Sequence, residues 1–211
     1  MKKQYKIIAL FFLSFLALTV FGQGEKVLDR DLFYKKMQEA SANLLSIESD
    51  FRQIKHLDVF NENIESKGRF YYKKTTLICL EYLEPSYYKI IINEDKIMTY
   101  TNGEKNTVTL KSNKIMDELQ QMLLASMSGD LSKLTGYKLD VYEDASYYSV
   151  HVKPENKSLL AYITGFEIQF NKDFFTVDKL RIRETGENYT DYLFTNQKYN
   201  TLSDDEIFTL D

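Results

Sequence analysis

Several extended segments of this chain are apolar at consecutive positions, and that restricts its fold more than any other feature. Phe70-Tyr-Tyr72, Leu77-Ile-Cys-Leu80, Tyr87-Tyr88, Ile90-Ile-Ile92, Tyr147-Tyr148 and Asp173-Phe-Phe175 carry the pattern. Successive strand side chains point to opposite sides, so both faces of the sheet they form carry apolar groups. An antiparallel sheet with one wet face would alternate more cleanly. Two readings are open. Either helices cover one face and loops or a partner the other, or the sheet curves around an apolar cavity.

The rest of the pattern places these strands in order. Residues 29–50 are predicted helical, because Leu32, Phe33, Met37, Ala40, Leu44, Leu45 and Ile47 recur near helical spacing. Extended segments follow at 50–59, 64–73, 77–83, 87–93, 97–101 and 107–110, joined by short polar links. A second helix is predicted over 114–127, with Ile115, Met116, Leu119, Met122, Leu123 and Met127 as its apolar stripe. Five more strands complete the chain, at 137–143, 147–152, 162–170, 177–183 and 189–198. Sixteen Tyr and fourteen Phe against no Trp and two Pro suit a strand-rich protein. The order predicts one α+β domain with a single antiparallel sheet of about ten or eleven strands.

Lys2, Lys3 and Lys6 precede an uncharged stretch, 7–21, and Val20 and Gly22 are small residues before a cut at Gln23. That is the layout of a cleavable signal peptide over residues 1–22, and it is short for a membrane span, which needs about 20 apolar residues. No later run is long and apolar enough to cross a bilayer. The only cysteine, Cys79, is far from the cut, so neither a lipid anchor nor an internal disulfide is expected. The expected product is a soluble exported domain, 23–211. Cleavage removes three lysines and no acid, taking the formal net charge from −4 to −7. Nucleic acid, which needs a clustered basic surface, is a poor partner for it.

The residues ask for no catalysis. His56 and His151 lack the neighbours of a zinc site, and Cys79 sits between apolar residues that would not activate a thiolate. No phosphate loop, dinucleotide fingerprint or nucleophile elbow is present. Glu81 and Glu84 form a carboxylate pair of a kind any acidic protein supplies. The expectation is no enzyme, no cofactor and no metal.

Four stretches in order resemble the LolA family of periplasmic outer-membrane lipoprotein carriers. An N-terminal helix runs into a Phe-x-Gln strand start, Ser49-Asp-Phe51-Arg-Gln53. Ser66-Lys-Gly68-Arg-Phe70-Tyr-Tyr72-Lys-Lys74 is similar to the family's glycine-bearing strand. Leu80-Glu-Tyr82-Leu-Glu-Pro85 is similar to its apolar strand closed by proline. Lys89-Ile90-Ile91-Ile92-Asn93-Glu94-Asp95-Lys96, followed by Met98-Thr-Tyr100, is similar to its next hairpin, and the tail from Asp204 to Leu210 fits its ending.

The resemblance implies a strongly curved, unclosed antiparallel half-barrel with helices covering its concave face. It implies a carrier that shelters acyl chains and ferries lipoproteins from inner to outer membrane. The cargo is then an acylated lipoprotein or another lipid such as a glycolipid or pigment-type lipid. An inner-membrane sorting transporter, an outer-membrane acceptor and a monomeric state are implied as well. Related folds also serve as envelope sensors or partner-binding modules. On the sheet side, Phe70, Tyr72, Ile78, Leu80, Tyr82, Ile90, Ile92, Met98 and Tyr100 are expected to line the cavity. A one-residue slip in any strand would swap its set. From the helix, Leu119, Met122, Leu123 and Met127 are expected to face them. Lys74 stands where the family often has a lid-latching arginine followed by proline. A lysine there can contact lid carbonyls as a point charge but lacks the planar fork of arginine.

Overall fold

The Ile47–Tyr72–Ile78–Ile92–Ile97 row, one residue from each of five adjacent strands, shows how the sheet is put together. In the computed structural model, which describes residues 24–210 apart from 28, 75, 94–95, 110–113 and 132–133, the strands form one antiparallel sheet. They are β1 (Glu25–Lys26), β2 (Ser46–Leu57), β3 (Glu62–Lys73), β4 (Leu77–Glu84), β5 (Tyr88–Asn93) and β6 (Lys96–Thr101). The others are β7 (Glu104–Thr109), β8 (Tyr137–Glu143), β9 (Tyr147–Pro154), β10 (Ile163–Asn171), β11 (Val177–Glu184) and β12 (Tyr189–Tyr199). Among the described residues the spatial order is β1-β8-β9-β10-β11-β12-β2-β3-β4-β5-β6-β7, twelve strands with β1 and β7 at the edges, so the half-barrel is not closed. The strand beyond the expected ten or eleven is the two-residue β1. The expected signal peptide lies outside the described residues.

Among the described residues three helices accompany the sheet: α1 (Arg30–Ser41), α2 (Lys114–Ser128) and the single turn α3 (Lys157–Leu160). Asp29 caps α1, its side chain accepting from the Leu32 N–H at 2.9 Å. The helix ends at Ser41, well short of the expected residue 50. Leu44 and Ile47 kept the helical spacing, but Leu44 lies in the connection after α1 and Ile47 is claimed by the sheet. Ile47 pairs with Tyr72 on one side and Tyr199 on the other, and Asn200 accepts from the N–H groups of Leu45 and Ser46. Pairing on both sides outweighs a weak local propensity. α2 ends as expected, with Gly129 at φ +67° and the Asp130 N–H reaching the Ala125 carbonyl.

α2 lies over the open side of the sheet. β7 is one edge of the sheet and β8 lies beside the other, so the chain between them has to cross the open side of the curve. α2 makes that crossing with its apolar stripe turned inward; Met122 is fully buried. α1 fills the other half of the concave side. Its Phe33 packs edge-on against Tyr148 at 5.0 Å, and Met37 is fully buried with it.

Both readings of the doubly apolar strands turn out to apply. On the concave side their side chains meet the helices. On the convex side Tyr71, Cys79, Ile91 and Met98 are covered by the C-terminal segment, with Phe208 fully buried among them. That segment is tied down by Lys73 to Asp205, by Lys105 to the Leu210 carbonyl, and by Asn93 to the Phe208 carbonyl at 3.5 Å. Burial pushes the Cys79 thiol up to about 12, which leaves it a packing residue.

The convex face of β10–β12 is charged instead. Asp191 is buried there, takes two bonds from Arg181 at 2.6 and 2.7 Å, and lies 3.2 Å from Lys179 Nζ. Burial pushes its carboxyl up, but Arg181 and Lys179 more than offset this and hold it below the ordinary value. Its contribution to stability is therefore complete above the unfolded value of roughly 3.9 and is lost as pH falls through the folded value. We expect Asp191→Asn to cost about 2 kcal/mol at pH 7 and to flatten the acid limb of a Tm-against-pH curve. An acid limb as steep as the wild type's would contradict this.

Candidate functional site

The concave face is assembled row by row from cross-strand pairs. Ser49, Phe70, Leu80, Ile90 and Thr99 form one row, and Phe51, Gly68, Tyr82, Tyr88 and Thr101 the next. From the C-terminal half, Phe166, Ile182, Thr190 and Lys55 lie in line across β10, β11, β12 and β2. Beside that row run Ile168, Leu180, Tyr192 and Gln53. At Gly68 the β4 backbone comes close to β3. A Cβ there would stand 2.0 Å from the Glu81 carbonyl oxygen and 2.8 Å from Phe51 Cε1.

Between this face and α2 lies a cavity of about 610 Å³. Its sheet wall includes Leu80, Ile90, Ile92 and Ile97 from the N-terminal half and Phe166, Ile182 and Tyr192 from the C-terminal half. Its helix wall includes Met116, Leu119, Met122 and Leu123. Leu80, Leu123, Ile182 and Tyr192 also border a smaller hollow of about 60 Å³, completed by Phe70, Ile78 and Met127 among others. Tyr162, 62% exposed, stands at the rim of the larger space. The volume is that of a small-molecule site, ~300–1,000 Å³.

Most of the residues singled out from sequence lie on one of these two walls: Phe70, Ile78, Leu80, Ile90 and Ile92 from the sheet, and Leu119, Met122, Leu123 and Met127 from α2. Tyr72 and Tyr82 share the concave face but are buried in its core beside the hollow. The Tyr82 hydroxyl meets that of Tyr192 at 3.2 Å. Burial pushes both phenols up, so they meet as neutral hydroxyls.

Met98 and Tyr100 lie on the opposite face. Met98 packs under the C-terminal segment, and Tyr100 stacks edge-on with Tyr87 at 5.9 Å. The Ile92–Ile97 pairing sets β6 one residue from the expected facing, which turns Ile97 and Thr99 to the cavity instead. Lys74 Nζ donates to the Ala42 carbonyl at 2.9 Å, and the Lys74 N–H to the Leu45 carbonyl at 2.7 Å. It contacts the exit of α1, not α2. The C-terminal contribution and the polar residues Gln53, Lys55, Glu184 and Thr190 were not anticipated as lining. The alternation of Phe166, Ile168 and Phe170, and of Leu180 and Ile182, was the available signal. Among the described residues no group of His, Cys, Asp and Glu is placed to hold a metal ion, and no helix is long and apolar enough to cross a membrane.

The architecture is an open antiparallel half-barrel with a helix lying over a largely apolar cavity on its concave face. The profile of the outer membrane lipoprotein carrier protein LolA family matches residues 42–211, and the chain belongs to that family. Among solved structures, it resembles an uncharacterized conserved protein from Thermus thermophilus at 9% identity and TM-score 0.53, covering 86% of this chain and 94% of that one. It also resembles a DUF1329 family protein from Desulfovibrio piger at 10% identity and TM-score 0.51, covering 85% and 97%. A LolA superfamily protein from Nitrosomonas europaea aligns at 12% identity and TM-score 0.44, covering 85% and 96%. Comparison with curated proteins found no match.

Proposed function

We propose that this protein is a non-enzymatic periplasmic carrier that shelters the acyl chains of a lipoprotein or related lipid while it moves from inner to outer membrane. The observation that carries the reading is the apolar cavity under α2. An acyl chain in water costs about 0.8 kcal/mol per methylene, so a carrier must offer a dry compartment and a cover that can move aside. Three methionines line or border that space from α2, and their flexible side chains suit a wall that repacks around chains. Family membership supports the periplasmic location and the acylated cargo. The sorting transporter, the acceptor and the monomeric state belong to the same reading.

The test is to purify the mature protein from a membrane extract, identify co-purifying lipoprotein or lipid by mass spectrometry, and titrate the delipidated protein with a fluorescent acyl probe. Bound acylated cargo and saturable uptake are expected. Absence of both cargo and uptake would overturn the proposal.

A further inference from the structure

The sheet ends differently at its two edges. β1 offers two residues, whereas β7 runs from Glu104 to Thr109 with every residue exposed, no proline and no register shift against β6. Edges that are guarded against pairing are short, bulged or interrupted by proline, because an unpaired strand is a template for another. Lys105 does not guard this one, since its ammonium is held on the Leu210 carbonyl at the convex side. The ladder decides which backbone groups face outward. Asn102 at φ +50° and Gly103 at φ +86° make a two-residue turn, so Thr101 and Glu104 exchange both ladder bonds. Alternation gives the same role to Thr99 with Asn106 and to Ile97 with Val108. Tyr100 and Met98, opposite Lys105 and Thr107, turn their groups to β5 instead, where they pair with Lys89 and Ile91. The N–H and C=O groups of Lys105 and Thr107 therefore point away from the sheet, about 7 Å apart. Among the described residues no strand lies beyond them. β7 also borders the cavity. On this side the lining ends at Ile97 and Thr99 of β6, and their ladder partners on the same face, Val108 and Asn106, are exposed.

Resting on the carrier reading, we propose that β7 receives, as an added strand, the extended polypeptide next to the acylated residue of a lipoprotein whose acyl chain occupies the cavity. The choice of occupant follows from covalent connection. An acyl chain inside the cavity holds its own polypeptide at the border, so pairing with β7 becomes intramolecular, at an effective concentration on the order of millimolar. A few backbone bonds are then enough, where the same peptide without its lipid would bind feebly. A free lipid has no backbone to add. Strand addition takes its affinity from the main chain rather than from side chains, which leaves the sequence of the cargo largely unrestricted.

The experiment loads the full mature protein with an N-palmitoyl peptide of alternating alanine and serine, or with its analogue methylated on every backbone nitrogen, which has the same acyl chain but no N–H to give. Displacement of a fluorescent acyl probe reads affinity, and amide hydrogen exchange reads the edge. Wild type is expected to bind the unmethylated peptide about tenfold tighter than the analogue, the worth of one or two backbone hydrogen bonds. With that peptide bound, the N–H groups of Lys105 and Thr107 should become protected, while those of Asn106 and Val108, already in the ladder, should not change. Thr107→Pro removes an outward donor and spares the bonds to β6, and proline is tolerated on an edge strand. It should lower the affinity for the unmethylated peptide to that for the analogue. Equal affinity of wild type for the two ligands, no new protection at Lys105 and Thr107, or a preference that survives Thr107→Pro overturns the edge proposal and leaves the carrier reading standing. Protection already present without ligand and growing with protein concentration assigns the edge to a second copy of the chain, and overturns it as well. No displacement by either ligand, with no probe uptake, overturns both.

Discussion

Gly68→Ala is expected to destabilise the protein by about 3 kcal/mol or more, which for a chain of this length is a fall in Tm of roughly 6–12 °C. The added methyl would stand 2.0 Å from the Glu81 carbonyl oxygen, closer than any real Cβ contact, and 2.8 Å from the Phe51 ring. The oxygen belongs to β4, paired with β3 in the middle of the sheet, so it cannot swing aside as a flexible side chain would. Backbone freedom is not the issue at this position; space is. The ladder between β3 and β4 shifts register between Lys67 and Gly68, and Phe51 and Tyr82 close over the glycine with ring centroids 5.0 Å apart. Moving β4 away from a methyl would open that aromatic contact and flatten the curve that shapes the cavity. Thermal melting of wild type and variant, with probe uptake measured well below both midpoints, checks the two consequences separately. An unchanged Tm would mean that the two strands are not held this closely.

How much of this was legible in the sequence depends on how far along the chain each determinant reaches. Most strand positions, the helix start at Asp29 and the extent of α2 follow from local periodicity, capping and a C-terminal glycine and match the structure within a residue or two, whereas β2 starts at Ser46 and β7 at Glu104, ahead of the expected 50 and 107. The end of α1 did not, because Ile47 satisfies a helical stripe and a strand equally well. Its fate is decided by Tyr72 and Tyr199, one of which lies about 150 residues away in sequence. The facing of β6 failed for a related reason. Ile97-Met98-Thr99-Tyr100 is apolar or amphipathic on both sides, so its pattern favours neither face. The tight connection from β5, which pairs Ile92 with Ile97, makes the choice. On β3 to β5 the expected set fell on the concave face because Gly68, Phe70 and Tyr72 alternate with Arg69 and Lys73, which mark the outside. The contribution of β10 to β12 to the cavity rests on the β12–β2 pairing, the one strand contact joining the two halves of the sheet. Nothing in either segment alone announces it. Gln53 could be seen as part of a stretch, yet that its Oε1 would be buried with no partner among the described residues is a property of the packed wall.

Leu123→Asp is expected to weaken acyl-probe binding at pH 7.5 by at least tenfold, with partial recovery at pH 5. Leu123 sits on α2 where the larger cavity and the small hollow meet, so any chain running along the apolar wall passes it. It is only half-buried, which makes the substitution tolerable to the fold in the unloaded protein, where water can reach the carboxylate. Loading changes that. A chain laid against Asp at this position strips water from the charge, which costs several kcal/mol unless the carboxyl takes up a proton first. Binding is therefore linked to proton uptake. The loaded carboxyl titrates above the unloaded one, so acidification between those two values restores affinity. Leu123→Asn, polar but without a titrating group, should bind more weakly than wild type and show no such recovery. Val59→Asp, which puts the same charge on a side chain 84% exposed in the β2–β3 turn, should leave uptake unchanged. If Leu123→Asp binds the probe as wild type does at pH 7.5, the chain does not travel along this wall. If it binds weakly but Leu123→Asn recovers equally on acidification, the proton is acting elsewhere in the protein.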